Sequence, residues 1–295
     1  TTGENCVAII TAPDKETTAM PSEARIKEII STGDKLVLEA YKDEVSDEPL
    51  VANSLTGSKV KSAKSTEEYG ITEWVLENGV KVIIKPTDFK NDEILLTAYS
   101  WGGWSSYSLA DYWSAAAADN IIDQSGVGTF NATALEKKLT GKLVSLTPYI
   151  SELDQGFDGS CAPKDLETML QLTYEYFTEP RKDAEAFQSY IEKQKGALQN
   201  RSSDPQSVFF DSVSYVMASY NPRNQPRTLE TLSKIELDKV YKIYKERFSD
   251  ASGFTFVIVG SVKPEELKPL VEKYLGSLPS LNKNEKWVNT GVTYP

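Results

Sequence analysis

Length, composition and charge narrow the class of protein before any motif is considered. The chain has 295 residues, of which 40% are hydrophobic and 25% charged, with a formal net charge of −11 at pH 7; these values are ordinary for a globular protein of one large or two ordinary domains. The acidic balance argues against a nucleic-acid partner, no stretch approaches the ~18 consecutive apolar residues of a membrane span, and the absence of histidine excludes a Ser-His-Asp triad, a Cys-His pair and any His-ligated zinc site within this chain.

The N-terminus and the cysteines add little about function. The chain begins Thr1-Thr2, without an initiator Met or an apolar signal region, so we expect a processed product or a fragment of a longer protein. Cys6 and Cys161 are the only cysteines. Two lone cysteines form neither a disulfide framework nor a metal knuckle, and we predict two ordinary buried thiols that leave the redox compartment open.

The first predicted elements are a strand, Cys6 to Thr11, and an amphipathic helix that starts near Pro21. The same strand–turn–helix order returns near the other end, with a strand from Phe254 to Gly260 and a helix led by Pro264. Such units are common in proteins, but the recurrence suggests that two similar domains end at these points. Residues 1–34 are therefore interpreted as the end of a preceding homologous domain.

Residues 35–70 are polar and rich in Ser, Lys and Glu, which predicts an interdomain connector with a short strand around Leu50 to Ala52. A new domain over residues 71–283 opens with a hairpin, because Asn78-Gly79 lies between two β-rich runs. A third strand follows in "EILLTAYSWGG". Residues 284–295 are polar and are interpreted as the start of a connector to a further domain.

The rest of this domain alternates between helices and strands. The pattern predicts an α+β fold, a mostly antiparallel sheet with helices packed on one face. The predicted elements are a helix over 109–123, a short helix Ala132 to Leu139, two antiparallel strands within 142–161, a long helix from Pro163, helices over 183–199 and 206–219, the helix "DKVYKIYKERF" and the final strand.

Three segments together resemble the pitrilysin/insulinase family of zinc metallopeptidases, the inverted HxxEH group. "LENGVKVIIKP" is similar to the hairpin that opens a domain of this family, and "TEPRKDAEAFQSYIEKQKGAL" resembles its following helix pair. "YKERFSDASGFTFVIVGSVKPEELKPLVEKYLGSLP" resembles its domain ending. No single segment is specific, but their order and spacing are. The resemblance covers about residues 71–281, and residues 1–34 are similar to the ending of a preceding domain.

The resemblance implies four homologous α+β domains in two halves that close around an unfolded peptide. The first domain holds HxxEH on a helix, where two histidines bind zinc and the glutamate is general base, and a later glutamate completes the site. Here the corresponding helix reads "SLADYWSAAAADN", with Ala115 to Ala118 near the expected motif. The later glutamate would fall near Gln199-Asn200, where neither residue is a carboxylate. The resemblance thus implies a third, non-catalytic domain with no catalytic and no metal-binding residues. The alanines are also explained by close packing of this helix against a neighbour, since small residues permit close approach.

The last domain of this family also carries an Arg and a Tyr that reach the substrate, in a motif resembling L-R-x-x-x-G-x-x-Y. The segment "SYNPRNQPRTL" offers Tyr220, Arg223 and Arg227 but does not match that spacing.

Other residues are candidates for binding. Asp111, Asp119 and Asp123 share one helix and could form a carboxylate metal site, but a solvated helix face is the simpler interpretation. A dense aromatic set could line a peptide-holding chamber, although core and loop packing also explains it; its members are Tyr99, Trp101, Trp104, Tyr107, Tyr112 and Trp113, and Trp101, Trp104 and Tyr107 are the candidate substrate-binding residues. A third set, Glu152, Asp154 and Asp158, could form an acidic patch for cationic peptides.

The leading hypothesis is a non-catalytic part of a pitrilysin-like zinc metalloendopeptidase that acts on unfolded peptides. This chain alone would be inactive and would form a chamber wall; the zinc would lie in the missing N-terminal half. Its partners would be the peptide substrate and the catalytic half of the same polypeptide, with no nucleic acid and no membrane span, and bacterial relatives suggest a periplasmic or secreted setting. The alternatives are a non-catalytic scaffold or assembly subunit with the same fold and an unrelated α+β binding domain.

Overall fold

The computed structural model describes residues 7–12, 20–33, 37, 47–201 and 204–292. The chain divides into two compact units, Thr1–Glu44 and Val45–Pro295. In the first unit, helix α1 (Glu23–Gly33) starts close to Pro21, as predicted. The strand predicted from Cys6 to Thr11 is wrong over residues 7–11, which are irregular and exposed. A short apolar run needs a neighbouring strand to pair with, and the described residues of this unit contain none; Cys6 lies outside the described residues.

Seven strands of the second unit form one sheet, in the order β1-β2-β3-β7-β4-β6-β5. Only β3 and β7 are parallel neighbours; the other pairs are antiparallel. This confirms the predicted mostly antiparallel α+β class. The strands are β1 (Val60–Thr66), β2 (Ile71–Leu76), β3 (Lys81–Pro86), β4 (Ile94–Trp101), β5 (Val144–Ile150), β6 (Asp154–Cys161) and β7 (Thr255–Gly260).

Nine α-helices accompany the sheet in the described part of this unit. Most match the predicted positions within a few residues. They are α2 (Tyr112–Ala115), α3 (Ala118–Ser125), α4 (Ala132–Lys138), α5 (Leu166–Thr178), α6 (Ala184–Arg201), α7 (Pro205–Met217), α8 (Leu229–Leu232), α9 (Leu237–Arg247) and α10 (Pro264–Tyr274).

The β2–β3 hairpin forms where Asn78-Gly79 predicts it. Gly79 has a φ of 89°, the left-handed conformation that the last residue of a three-residue hairpin loop requires and that glycine adopts without strain. The amide of Leu76 donates a hydrogen bond across the turn to the carbonyl of Val80 at 2.9 Å. The Asn78 side chain donates to the carbonyl of Leu275, also at 2.9 Å. The turn therefore also ties the hairpin to the end of α10.

The helices cover one face of the sheet. Along β4, Ile94, Leu96 and Ala98 are buried while Leu95 and Thr97 are exposed, which is the period-two pattern of a sheet with one covered face. Aromatic rings from strands and helices meet under the helices: the centroid of Phe157 lies 4.9 Å from that of Phe248, and Phe177 lies 4.9 Å from Phe254. Burial of each such ring contributes roughly 1.5–3 kcal/mol to folding.

The polar N-terminal part of this unit has one strand that the sequence analysis did not predict and lacks one that it did. Residues 60–66, which composition assigned to a connector, form edge strand β1, paired with β2 from Thr66 opposite Ile71 onward. An edge strand with mostly exposed, Lys- and Ser-rich side chains gives no apolar alternation to detect. The short strand expected at Leu50 to Ala52 does not form; Leu50 instead packs into the core.

Candidate functional site

The alanine segment lies where the resemblance places a metal-binding motif, and its local structure differs from the prediction. The single helix expected over 109–123 is wrong: α2 ends at Ala115 and α3 starts at Ala118. At Ala116 and Ala117 ψ is close to zero, and the amide of Ala117 reaches the carbonyl of Ser114 at 3.4 Å, one residue short of the α-helical partner. The segment is therefore two short helices joined by a tighter turn.

These alanines are packing residues. Ala115, Ala117 and Ala118 are at most 1% exposed, and the two helices contact α9, α6 and β5. Protein interiors are close-packed, so each of these three positions accommodates a methyl group. A larger side chain would fit only if neighbouring residues were displaced. The sequence supplies no imidazole here or elsewhere.

The three aspartates near this segment do not act together, and the solvated-face interpretation is wrong for two of them. Asp119 and Asp123 are half-buried: Asp119 accepts from the amide of Ile150 at 3.1 Å, and Asp123 accepts from the hydroxyl of Tyr176 at 2.7 Å. Burial raises the pKa of both carboxyls. Asp111 instead accepts from Ser108, which with Lys239 lowers its pKa.

Metal-binding geometry was sought across the part of the chain that the structure describes. There, no three His, Cys, Asp or Glu side chains converge on a point that could hold a metal ion. The described cysteine, Cys161, is a buried free thiol whose pKa is raised to about 12 by burial. Gln199 and Asn200, near which the resemblance places the family's distal glutamate, are exposed on α6.

Of the three aromatic candidates, Trp104 and Tyr107 are engaged inside the domain. The guanidinium of Arg223 lies 5.7 Å from the Trp104 ring centroid and 5.3 Å from that of Tyr112. Tyr112 donates to the carbonyl of Arg223 at 2.6 Å. The Tyr107 hydroxyl donates to Glu246 at 3.0 Å and accepts from Arg247 at 3.0 Å. These contacts fix the loop after β4 to α9 and to the segment before α8.

A buried arginine extends this network to the C-terminal segment, residues 280–292, which we call the strap. Arg247 is 8% exposed and pairs with Glu285 of the strap at 2.8 Å. Further along, the amide of Val288 donates to Ser105 at 3.0 Å and Thr290 donates to Glu152 at 2.7 Å. The strap is irregular but held at each of these points, so it covers the loop that carries Trp104.

Trp101 has a different setting, on the open face of the sheet. It is 49% exposed, and its ring centroid lies 6.4 Å from that of Tyr99 on the same face. The register places Trp101 opposite Asp154 of β6, and directly paired residues present their side chains on the same face. Tyr149 of β5 donates to the carboxylate of Asp154 at 3.4 Å.

The acidic candidates divide between this face and the strap. Asp158 lies opposite Thr97 and accepts a hydrogen bond from its hydroxyl at 3.0 Å. It shares the open face with Asp154. Burial, and secondarily the charges of Asp154 and Asp158, raises the pKa of Tyr149. Glu152 contacts the strap instead. The structure thus brings together one surface, which we call the open-face patch: Tyr99, Trp101, Tyr149, Asp154 and Asp158. Its chemistry suits peptide segments with apolar and cationic side chains, since carboxylates attract the charge and aromatic faces contact both.

Arg247 and Glu285 were missed by the sequence analysis. Their signal is weak: an arginine at the end of an amphipathic helix usually lies in solvent, and its partner is 38 positions away in a polar tail. Tyr149 was also missed, because only the β5–β6 register places it beside Asp154.

The architecture is that of an α+β domain with a mostly antiparallel sheet and helices on one face, and its described residues form no metal-binding cluster. A sequence model described as Peptidase M16 inactive domain matches residues 234–294, which contain α9, β7, α10 and the strap. The crystal structure of the periplasmic protease PqqL from Escherichia coli aligns with a TM-score of 0.73 and 20% identity, covering 93% of this chain and 30% of that one. The first half of that protease also aligns, with a TM-score of 0.59 and 14% identity, covering 77% of this chain and 50% of that one. At these identities the likeness shows the fold.

A curated relative connects the fold to a family. A protein named zinc protease PQQL-like from Arabidopsis thaliana is 26% identical over 278 residues, covering 93% of this chain and 27% of the relative. Residues 234–294 thus match the inactive domain of the M16 peptidases, and the resemblance of this chain to the pitrilysin/insulinase group is confirmed. The chain spans about a quarter of the length of that relative.

Proposed function

We propose that this chain is the non-catalytic wall of the peptide chamber in a longer zinc metallopeptidase that acts on unfolded peptides. The observation that carries the proposal is the combination of an M16 inactive domain with relatives named zinc proteases that are three to four times longer than the aligned region. The catalytic zinc would be held by another part of the polypeptide, because this chain offers no histidine and places tightly packed alanines at the motif position.

The domain organisation of the sequence analysis remains part of this proposal. Residues 1–34 would end a preceding homologous domain, the polar stretch 35–70 would connect the halves, 71–283 would be the non-catalytic domain, and 284–295 would lead to a further one. The division of the chain between Glu44 and Val45 and the alignment of the same fold with a first half of PqqL support a repeated architecture. The catalytic half of the same polypeptide would be the main partner.

The open-face patch would hold the peptide. Trp101 offers a half-exposed aromatic ring opposite Asp154, on the face that also carries Asp158. Trp104 and Tyr107, the other candidates, would act indirectly by fixing the loop that follows Trp101. A segment rich in Lys or Arg and in apolar residues would bind there, and its binding would weaken with salt.

The setting would be periplasmic or secreted. The support is the Escherichia coli relative, which is described as a periplasmic protease. Within the described ranges, the helices are all too short or too polar to cross a membrane.

The decisive experiment compares the native protein with this chain. We expect the native species to be several times heavier than 32.7 kDa, to carry about one zinc per polypeptide, and to cleave an unfolded, fluorescently quenched peptide in a chelator-sensitive manner. The pure 295-residue chain should bind the same peptide without cleavage. Chelator-sensitive cleavage by the pure chain, or a native species of this size without zinc, would overturn the proposal; the second result would favour the scaffold alternative.

A further inference from the structure

Helix α7 presents its apolar residues to the outside. None of its residues is buried. Large hydrophobic side chains follow one side of the helix and the turn after it, and each is between 39% and 62% exposed. We call this set the α7 face, and its members are Phe209, Phe210, Val213, Val216, Met217 and Tyr220.

The opposite side of α7 is polar, so the amphipathic pattern is reversed. Asp211 turns towards α6 and binds Arg201 through two contacts of 2.5 and 2.9 Å. Asp204 caps the start of the helix by accepting from the amide of Ser207 at 3.0 Å. A surface helix normally packs its apolar stripe on its own domain and turns charges outward. Here the ion pair holds α7 in place and the stripe remains uncovered by the described residues of its unit.

The exposed area is that of an interface. The six side chains together expose roughly 600 Å² of mostly apolar surface, at the upper end of the largest patch on an ordinary monomer and close to the ~800 Å² per partner of a stable interface. Phe209 and Phe210 lie edge to face, with centroids 5.6 Å apart. Rigid aromatic pairs of this kind are common anchors of interfaces.

The shape of the surface selects the kind of partner. A single helix with an apolar outer stripe is convex, and such helices bind by insertion into a groove of a folded partner. An unfolded peptide has no groove to offer.

We propose that the α7 face is an intramolecular docking surface, covered by another folded domain of the longer polypeptide. This inference rests on the proposed function, which supplies that polypeptide. The aligned region is 27% of the Arabidopsis relative and 30% of the Escherichia coli structure, so most of such a protein lies outside it. A partner in the same chain has a high effective concentration, which allows a contact of this modest size to stay closed.

Hydrogen exchange tests the proposal on both proteins. We expect the amides of residues 208–217 to exchange at least tenfold more slowly in the long polypeptide than in the 295-residue chain. The double variant Phe209→Ser/Val213→Ser should restore fast exchange in the long polypeptide and leave the melting temperature of the short chain within about 2 °C, since both side chains are exposed there. Phe89→Ser is the matched control: Phe89 is 90% exposed and lies outside the α7 face, so exchange of α7 should not change.

Two results would overturn the docking surface. Equal exchange of α7 in both proteins would mean that the face stays open, and a dimer of the short chain by light scattering, with α7 protected, would mean that a second copy covers it. Activity of the long polypeptide separates the two proposals. If it cleaves peptides while α7 exchanges equally, only the docking fails; if α7 is protected but no zinc-dependent cleavage occurs, only the proposed function fails.

Discussion

Glu175 on α5 makes folding stability depend on pH in a direction opposite to that of most carboxylates. It is 4% exposed and faces the Gly128 turn, where a Cβ atom would come within 2.7 Å of its carboxylate. Burial, and secondarily the charge of Glu179, raises the pKa of Glu175 from 4.5 to about 7. The native state therefore keeps a proton that the unfolded chain releases between these two values.

The sign and size follow from linkage. Where the native state binds more protons than the unfolded state, the free energy of unfolding falls as pH rises. The contribution of Glu175 to the free energy of unfolding is thus fully present below pH 4.5 and is lost as pH rises through about 7. A displacement of roughly 2.5 pKa units at ~1.36 kcal/mol each gives an upper limit of about 3 kcal/mol. The variant Glu175→Gln has nearly the same shape and no charge, so it should be about 2–3 kcal/mol more stable than the parent at pH 8.5 and within ~0.5 kcal/mol of it at pH 4.5.

Urea unfolding followed by tryptophan fluorescence at pH 4.5, 6.5 and 8.5 measures this difference. Glu136→Gln, on the exposed side of α4, is the matched control and should change stability by less than ~0.5 kcal/mol at each pH. A Glu175→Gln effect that is the same at all three values, or a parent that is the more stable protein at pH 8.5, would refute the reasoning.

Three further predictions concern the alanines, the strap and the open-face patch. Ala118→Leu should lower the free energy of unfolding by about 1–3 kcal/mol through overpacking, and by clearly more than Ala116→Leu at the half-buried neighbouring position, as urea titrations would show. Arg247→Met should cost about 3–5 kcal/mol and expose the strap to limited proteolysis, because Glu285 loses its buried partner; intact protease resistance would contradict this role. Trp101→Ala should weaken binding of a Lys- and Phe-containing unfolded peptide about five- to tenfold in fluorescence anisotropy, about 1 kcal/mol, with the melting temperature unchanged. Unchanged affinity would remove Trp101 from the proposed site.

Elements with local signals could be predicted from the sequence. Asn78-Gly79 specifies its hairpin by turn geometry, and Pro264 with its following acids specifies the start of α10. The polar edge strand β1 could not, because its only determinant is pairing with β2. The break between α2 and α3 also has no local cause, since alanine favours a continuous helix; it depends on how the segment packs against α9, α6 and β5.

The site was predictable in its residue types but not in its arrangement. The aromatic and acidic candidates were all visible in the sequence, yet which of them share a face depends on the β4–β6 register, which joins Trp101 to Asp154. The burial of Asp119 and Asp123 depends on Ile150 and Tyr176, which are distant in sequence. The pairing register of the strands decides which side chains share a face, and tertiary packing decides which carboxylates are buried. Neither can be inferred from the local spacing of residues.

The position of β7 has a consequence for biosynthesis. This strand is made more than 150 residues after β4, yet it lies between β3 and β4 in the sheet. Until Thr255–Gly260 leaves the ribosome, the nascent chain can form only two separate partial sheets, β1-β2-β3 and β4-β6-β5, each with an open apolar edge. Translation that stalls before Thr255, or proteolysis before it, would thus release an aggregation-prone intermediate. Both open edges are covered only when β7 pairs with β3 and β4.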